Sequence, residues 1–319
     1  MNRDFSYYLS KFLKDYLVIE RNMSPHTIRS YKKTFQILID YLVSTKKFKL
    51  KDITFENVTR DIITDFLNYL EEDKKNSIRT RNQRLAVIKS FYQYCAIDEI
   101  DNIDNIRKIL SIKSKKEIKK VMNYLTEDEL KRILDSIDTS TKKGRRNLTL
   151  ITLLYDTAAR ASEIINLKVE DIHLEEKYII LTGKGNKQRV VSMMEQTKKL
   201  LVDYFKENNT QSGYLINING KKMNERFLRD IIKNINPLNR KISPHVFRHT
   251  RAVHLLDKGV NIIYIQELLG HTSVNTTMEY AKVIEKSKFE AIEKANPKID
   301  NSLPDWNDDK DLLSQLLNL

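Results

Sequence analysis

Hydrophobic residues recur at steps of three and four along the first third of the chain, which is the spacing of one helix face. Ser24 and Pro25 supply a helix cap and a first helical residue. The apolar positions that follow at this spacing are Ile28, Tyr31, Phe35, Leu38 and Leu42. Similar patterns without a strand signal predict a helical domain over residues 1–110.

A second amphipathic helix is predicted after Ser77, which is placed to cap it. Its apolar stripe comprises Leu85, Ile88, Tyr92 and Cys95. We assign four basic residues to its outer face, namely Arg79, Arg81, Arg84 and Lys89. Such a face is either merely solvated or in contact with nucleic-acid phosphates.

Residues 111–123 are rich in lysine and lack apolar periodicity, which indicates a linker between two domains. Its lysines, among them Lys115 and Lys116, suit a segment that follows a DNA backbone. Thr126 and Glu129 then have the spacing of a capping box, which begins a new helical unit.

Residues 124–294 form the second predicted domain, in which helical and strand patterns alternate. The stretch "KYIILTGKGNKQRVVSM" (177–193) has two β-rich runs around a glycine-containing turn and predicts a β-hairpin. The fold class expected is therefore mainly α with a small β-hairpin or sheet (α+β).

Residues 295–319 form an acidic tail, which argues against contact with DNA there. Leu312, Leu313, Leu316 and Leu317 predict a short amphipathic helix that needs an apolar groove, in this chain or in a neighbouring one.

The formal net charge of +13 favours a polyanionic partner, with nucleic acid as the usual one, although a lysine-rich surface alone would give the same value. Cys95 is the single cysteine, which excludes an internal disulfide. The sequence shows neither an apolar run of roughly 18 residues nor a signal peptide. We therefore expect no membrane association and a cytoplasmic protein, associated with the nucleoid of a prokaryotic cell.

The helix predicted over residues 243–259 is mostly apolar, yet His245, Arg248 and His249 lie together near its N-terminus. A buried guanidinium without a partner is too costly to retain, so its partner is expected to be a carboxylate in the core or a phosphate. The two histidines also have the spacing of zinc ligands, but a third ligand is not evident and we expect no metal. For His249 we favour a core histidine whose ring is satisfied by a carbonyl.

The motifs "AARASEIINL", "TGKGNKQR", "HVFRH" and "LLGHTSVNTTMEY" occur in this order. Together they resemble the tyrosine recombinase (phage integrase) family, in a Xer-like form, over roughly residues 5–290. The resemblance implies that the helical N-terminal part is the family's SAM-like core-binding domain and that the second domain is catalytic.

The resemblance also implies the site residues. The catalytic set is Arg160, Lys184, His245, Arg248, His271 and Tyr280, with Glu163 as an accessory acidic residue. Arg160 lies just ahead of a helix that we expect Ser162 to cap. Lys187 is close enough to Lys184 to compete for its role, and it is otherwise expected to bind DNA. Ala159 departs from the glycine that is common before the first arginine.

The chemistry implied is DNA strand cleavage and rejoining through a 3′-phosphotyrosyl intermediate and a Holliday junction. Two arginines can neutralise the phosphate bidentately. A phenol is only about 0.1% ionised at neutral pH, so Tyr280 needs a base, for which His245 is best placed from the sequence. Lys184 can protonate the 5′ oxygen that leaves. The covalent intermediate stores the bond energy, so neither ATP nor a metal nor another cofactor is expected.

The family further implies a homotetramer on double-stranded DNA, with C-terminal tails that dock in trans. The host role expected is mobile-element integration or excision, transposition, or chromosome dimer resolution. The alternatives are a type IB topoisomerase, a DNA-binding regulator that has lost catalysis, and, more remotely, a metal-dependent nuclease.

Overall fold

The computed structural model describes residues 4–117, 122–218, 221–271, 273–274 and 276–281, with only the backbone of Lys184 and Ile218. The chain divides into two compact units, Met1–Lys119 and Lys120–Leu319. This division falls within the segment 111–123. The predicted tail helix lies outside the described residues, as do linker residues 118–121. Over the described parts of the chain, each helix is too short or too polar to cross a bilayer.

The first unit is helical, as the periodicity predicts. Helix α1 (Phe5–Lys11) continues as a π-helix over Phe12–Glu20. The helices that follow are α2 (Pro25–Ser44), α3 (Arg60–Glu72), α4 (Ile78–Cys95) and α5 (Ile103–Leu110). The side chains of Ser24 and Ser77 accept N–H bonds from Thr27 and Thr80, which confirms both predicted caps.

The core of the first unit contains a cluster of aromatic rings from α1, the π-helix, α2 and α4 among its aliphatic side chains. Phe91 of α4 packs edge-on against Phe12 and Phe35, with ring centroids 5.4 and 5.1 Å apart. Such contacts add to the free energy gained by burying the rings. The predicted stripe of α4 is confirmed, because Leu85, Ile88, Tyr92 and Cys95 are fully buried.

The second unit is helical around a small sheet. Its helices are α6 (Glu127–Asp135), α7 (Lys142–Asp156), α8 (Ala161–Asn166), α9 (Glu195–Asn208), α10 (Glu225–Ile235), α11 (Pro244–Asp257) and α12 (Ile262–Leu269). Residues 276–281 are also helical. The Thr126–Glu129 capping box forms as predicted, with both reciprocal hydrogen bonds.

The sheet contains the predicted hairpin. Strand β1 (Ile172–His173) pairs with β2 (Tyr178–Thr182), which pairs with β3 (Gln188–Ser192), all antiparallel. A second pair, β4 (Asn217–Ile218) and β5 (Lys221–Lys222), was not predicted. The turn between β2 and β3 includes Gly185 at a positive φ of 75°, a conformation that glycine adopts without strain.

Helix α11 lies in the interior of the second unit and packs against α7, α10 and α12. Its residues Val246, Phe247 and Val253 are buried, as expected for a helix that is apolar on several sides. Pro244 occupies its first turn, and Gly259 follows its end with a φ of 81°. This packing places Arg248 of α11 against Ala158, which precedes α8, and Leu269, at the end of α12.

Candidate active site

Arg248 is the most deeply buried cation of the site, with 3% of its surface exposed. Its guanidinium donates hydrogen bonds to the backbone carbonyl of Ala158, at 2.7 Å, and to that of Leu269. Burial, reinforced by the charges of Arg160 and Arg189, lowers its pKa to about 10. The partners in the structure are therefore backbone carbonyls and not a core carboxylate, which was one of the two alternatives from the sequence, while the other, a phosphate, stays a prediction.

Arg160 stands immediately before α8, at the position of its N-cap. Glu163, one turn later, accepts the Arg160 backbone N–H at 2.7 Å and Nη1 of the same residue at 2.8 Å. The expectation that Ser162 caps this helix is wrong, since Ser162 lies inside it. The buried Glu163 carboxylate instead satisfies the free backbone donor and orients the arginine.

Arg189, on β3, was missed in the sequence although it ends the motif "TGKGNKQR". Both of its terminal nitrogens donate to the two oxygens of Glu163 at 2.8 Å. Burial alone would raise the pKa of Glu163, but the hydrogen bonds from Arg189 and from the Arg160 backbone outweigh it and hold the pKa at about 2. Glu163 is thus an anion at any pH at which the protein would be assayed.

We expect Glu163→Gln to lower the free energy of unfolding by about 3 kcal/mol at neutral pH, since the folded-state pKa lies well below the ordinary value. A depressed carboxyl pKa stabilises the fold above the unfolded-state value of 4.5 and loses that effect as the pH falls toward about 2. The difference between wild type and variant in urea unfolding should therefore shrink on acidification. Glu207→Gln, which removes the carboxylate paired with Arg145, is the control and should cost much less stability, because water screens a surface ion pair. A Glu163→Gln deficit independent of pH would contradict this account.

Tyr280 is 2% exposed and packs among Ala158, Ala252, Ile265 and Leu269. Its hydroxyl lies 2.9 Å from Nδ1 of His249. Burial raises the pKa of the phenol, while the positive charges of Arg248 and Arg160 oppose that rise. The phenolic oxygen therefore lies in the field of the two arginines.

His249 corrects the sequence interpretation, which made it a core histidine satisfied by a carbonyl. Its ring contacts the Tyr280 hydroxyl, and burial together with the charges of His245 and Arg248 lowers its pKa to about 4. It is therefore neutral near pH 7 and able to accept a proton. His245 is exposed, with its ring centroid 6.3 Å from that of His249, and partial desolvation and the charge of Arg248 lower its pKa.

His271 follows α12, which ends in Gly270 with a left-handed conformation. Its Nδ1 lies 3.1 Å from the Thr277 hydroxyl, and its backbone N–H donates to the carbonyl of Gln266. The ring is nearly parallel to that of Tyr280, at 15° and a centroid distance of 6.4 Å. Burial and the charges of Arg248 and Arg160 lower the pKa of His271 to about 4.

The turn between β2 and β3 contains Lys184, whose side chain is outside the described part of the structure. Lys187, on the same turn, is exposed. A cleft of about 860 Å³ is lined by residues that include Arg160, Lys187, Arg189 and His271. The structure thus brings Arg160, Glu163, Arg248, His271 and Tyr280 together, with His245 on the adjoining surface.

The basic residues expected to contact DNA differ in the exposure of their side chains and in their bonding partners. Arg79, Lys116 and Lys187 are exposed, and Lys89 is half-buried. Arg84 is half-buried beside a cleft of about 250 Å³, and among the described residues its Nη1 atom has no hydrogen-bond partner. Lys115 pairs with Glu71 at 2.8 Å, and its backbone is held by Asn82.

The assignment of Arg81 to the outer face of α4 is wrong. Its side chain is buried, with Nε 3.3 Å from Glu71 and Nη1 donating to Asn82 at 3.0 Å. Arg81 precedes Leu85 by four residues, so helix geometry places it on the apolar stripe. That spacing was the signal that could have identified it as buried.

Comparisons with known proteins fit this geometry. Residues 123–286 match the model of the phage integrase family, and residues 10–98 match that of the phage integrase N-terminal SAM-like domain. The chain belongs to the phage integrase family. It is a tyrosine recombinase, a DNA strand transferase for site-specific recombination, which confirms the predicted family, fold class and enzyme class.

Two relatives show how far the similarity extends. Tyrosine recombinase XerD of Oceanobacillus iheyensis is 31% identical over 279 residues, which cover 84% of this chain and 91% of the relative. Tyrosine recombinase XerC of Anoxybacillus flavithermus is 31% identical over 281 residues, with the same shares of 84% and 91%.

Among solved structures, XerH site-specific recombinase bound to its palindromic difH substrate, in a post-cleavage complex, is 25% identical with a TM-score of 0.67. The alignment covers 86% of this chain and 81% of XerH. A lambda integrase dimer bound to a COC′ core site has the same fold, with a TM-score of 0.66 at 16% identity, over 87% of this chain and 77% of that one.

Proposed function

We propose that Tyr280 is the nucleophile of strand cleavage. Its oxygen attacks the scissile phosphorus and forms a 3′-phosphotyrosyl bond while the bond to the 5′ oxygen breaks. The proton of the phenol passes to a histidine, and the 5′ oxygen takes a proton from a lysine. The supporting observation is the position of the phenolic oxygen, against His249 and in the field of Arg248 and Arg160.

In this proposal Arg160 and Arg248 bind the non-bridging oxygens of the phosphate. Their charges would stabilise the additional negative charge of the transition state, an effect that is strong where water is excluded. Both are held before DNA arrives, Arg160 by Glu163 and Arg248 by two carbonyls. Preorganised cations need little rearrangement when the phosphate enters. His271 would donate a hydrogen bond to the same phosphate.

His249 is the proposed acceptor of the phenolic proton. It is neutral at neutral pH, and its Nδ1 faces the hydroxyl at 2.9 Å, whereas the exposed His245 lies one helical turn earlier. A phosphate bound beside both rings would raise their proton affinity, because it brings negative charge to the site. We therefore assign the base to His249 and a phosphate contact to His245.

His249→Ala should slow single-turnover cleavage by about 100-fold, the usual range for loss of a general base. His254→Gln is the matched control, since His254 lies on the same helix and is bonded to Tyr155 and Leu125 away from the phenol. It should leave the rate near that of wild type. A normal rate in His249→Ala combined with a large loss in His245→Ala would return the role to His245.

The proposed acid for the leaving oxygen is Lys184, at the turn of the β2–β3 hairpin. Lys187 is three residues away and exposed beside the same cleft, so we assign it to the DNA backbone.

Double-stranded DNA is the proposed partner of both units, with residues 1–110 as the core-binding domain, 111–123 as the linker and 124–294 as the catalytic domain. The cleft between α2 and α4 offers Arg29, Lys33 and Arg84, and the desolvated Nη1 of Arg84 has no hydrogen-bond partner within the described part of the chain. A phosphate oxygen would satisfy that donor. Arg79, Lys89, Lys115 and Lys116 are proposed as further backbone contacts. We place the protein in the cytoplasm, where bacterial chromosomal DNA is accessible.

We further propose a homotetramer on DNA, in which residues 299–319 dock on a neighbouring subunit through the leucines between 312 and 317. Deleting residues 299–319 should weaken assembly of the tetramer on DNA, measured by light scattering on the bound complex. Substituting the aspartates of the tail while retaining its leucines is the control. An undiminished tetramer after the deletion would exclude this role for the tail.

The test of the proposed chemistry is covalent capture on a suicide duplex. This is a nicked DNA duplex whose sequence the protein itself selects from a random library, and from which the cleaved fragment diffuses away. An adduct that resists denaturing electrophoresis reports cleavage and requires the Tyr280 hydroxyl.

A further inference from the structure

Arg189 makes three hydrogen bonds to two groups of the site through one guanidinium. Nη1 and Nη2 donate to the two oxygens of Glu163 at 2.8 Å each, and Nε donates to the backbone carbonyl of Leu268 at 2.8 Å. Its side chain is only 13% exposed. A planar guanidinium can make these three bonds at once, which a lysine ammonium at the same place cannot.

These bonds join segments that are far apart in the sequence. Glu163 also accepts from the backbone and side chain of Arg160, so Arg189 acts on Arg160 through the shared carboxylate. Leu268 is followed by Leu269, whose carbonyl accepts from Arg248. Arg189 and Arg248 therefore hold consecutive carbonyls at the end of α12, three and two residues before His271.

Gly270 shows how closely α12 ends against this arginine. A Cβ atom at position 270 would lie 3.2 Å from Cδ of Arg189, and the residue has a φ of 59°. Both facts favour glycine, since a side chain there would strain the backbone and press on Arg189. The turn that leads to His271 is thus shaped around the Arg189 side chain.

The charge of Arg189 also favours the ionised form of Glu163. Glu163 is buried and faces two guanidinium groups. Without Arg189, the burial that raises the carboxyl pKa would be opposed by Arg160 alone. Glu163 would then take up a proton more readily, and the neutral acid would hold Arg160 poorly.

We propose that Arg189 is a positioning residue for strand cleavage, which orients Arg160 through Glu163 and ties the β2–β3 hairpin to the segment that ends in His271. This inference rests on the proposed role of Arg160 in binding the scissile phosphate. Arg189 lines the same cleft as Arg160 and His271, but three of its N–H groups are already bonded within the protein, and we therefore assign its effect to those bonds.

The experiment compares single-turnover cleavage of the suicide duplex by wild type, Arg189→Gln, Arg189→Lys, Glu163→Gln and the double variant Arg189→Gln/Glu163→Gln. Arg145→Gln is the matched control, because Arg145 also binds a carboxylate, Glu207, in the same unit. We expect Arg189→Gln to cleave about 100-fold more slowly, as for misplaced catalytic groups. Arg189→Lys should recover part of this loss, and Arg145→Gln should cleave normally.

Two readouts separate positioning from a general structural role. The cleavage rate of Arg189→Gln should fall further as the pH is lowered from neutral, because Glu163 becomes protonated. In wild type, protonation of Glu163 should not lower the rate over the same pH range. The double variant should be no slower than the slower single variant, because both substitutions break the same connection. Thermal unfolding checks that each variant is folded, and Arg189→Lys replaces Arg189→Gln if the latter is not.

A wild-type rate in Arg189→Gln would overturn the proposal. So would a loss that is independent of pH and additive with that of Glu163→Gln, since it would mean that Arg189 acts on DNA by itself. Tyr280→Phe is measured in parallel. An adduct in that variant would refute the proposed nucleophile, whereas its absence together with a normal Arg189→Gln rate would refute only the positioning role.

Discussion

Tyr280→Phe is expected to abolish the covalent adduct on the suicide duplex while DNA binding is retained. The substitution removes a single oxygen atom, and the phenylalanine ring fits the same pocket among Ala158, Ala252, Ile265 and Leu269. Phenylalanine offers no atom able to attack phosphorus. The rate should therefore fall to zero within detection rather than by a finite factor.

The stability of this variant should change little. The Tyr280 hydroxyl is hydrogen-bonded to His249, and the net contribution of such a bond to stability is about 1 kcal/mol. Tyr204→Phe is the matched control, because Tyr204 is also a buried tyrosine of the second unit and its hydroxyl donates to the Leu215 carbonyl. Tyr204→Phe should lose similar stability and form the adduct normally.

Mass spectrometry of the wild-type adduct should place the nucleotide on the peptide that contains residue 280. Persistent capture by Tyr280→Phe, with the nucleotide on another residue, would mean that the nucleophile has been misassigned. Electrophoretic mobility shifts with intact duplex check that loss of the adduct is not loss of DNA binding.

Arg248→Gln should slow cleavage by about 10²- to 10³-fold, the range found when a preorganised donor to a developing oxyanion is removed. The glutamine is neutral and too short to reach the Ala158 and Leu269 carbonyls with the same geometry. Those buried acceptors would lose their charged donor, so the free energy of unfolding should also fall by roughly 1–3 kcal/mol. The substitution should therefore lower both the cleavage rate and the free energy of unfolding.

Arg251→Gln separates the two effects. Arg251 lies on the same helix, is mostly buried, pairs with Asp156 at 3.4 Å and stacks on the Tyr155 ring at 5.2 Å. Its loss should cost stability without a matching loss of single-turnover rate. If the rates of Arg248→Gln and Arg251→Gln both followed stability alone, Arg248 would be a structural residue and the proposed phosphate contact would be wrong.

Local sequence signals predicted three helix starts and the hairpin correctly, whereas the predicted Ser162 cap of α8 was wrong. Ser24, Ser77 and Thr126 cap helices with their own side chains, and the β2–β3 hairpin forms around the glycine-containing turn. These features depend on residues within a few positions of each other, so the sequence is sufficient to predict them. The short β4–β5 pair was missed because four residues present too little alternation to recognise.

Three polar residues were missed or misassigned from the sequence, although local periodicity was sufficient to place two of them. Arg81 shares the face of Leu85, and Arg189 shares the inner face of β3 with the buried Val191. Each position was therefore readable from the period of its element, 3.6 or 2 residues. The sequence also places His249 on α11. However, no residue close to it in the chain indicates that the Tyr280 hydroxyl lies against its ring.

The sequence by itself determined the helical character of the first unit, the helix starts at Ser24, Ser77 and Thr126, the β2–β3 hairpin and, through four motifs in order, the family. Only the tertiary structure decided which polar groups meet. Arg248 bonds to carbonyls 90 residues before and 21 residues after it, and His249 meets a hydroxyl 31 residues away. Hydrogen-bond partners at such separations depend on how helices and strands pack, because periodicity records which face of an element is buried and not what lies opposite that face.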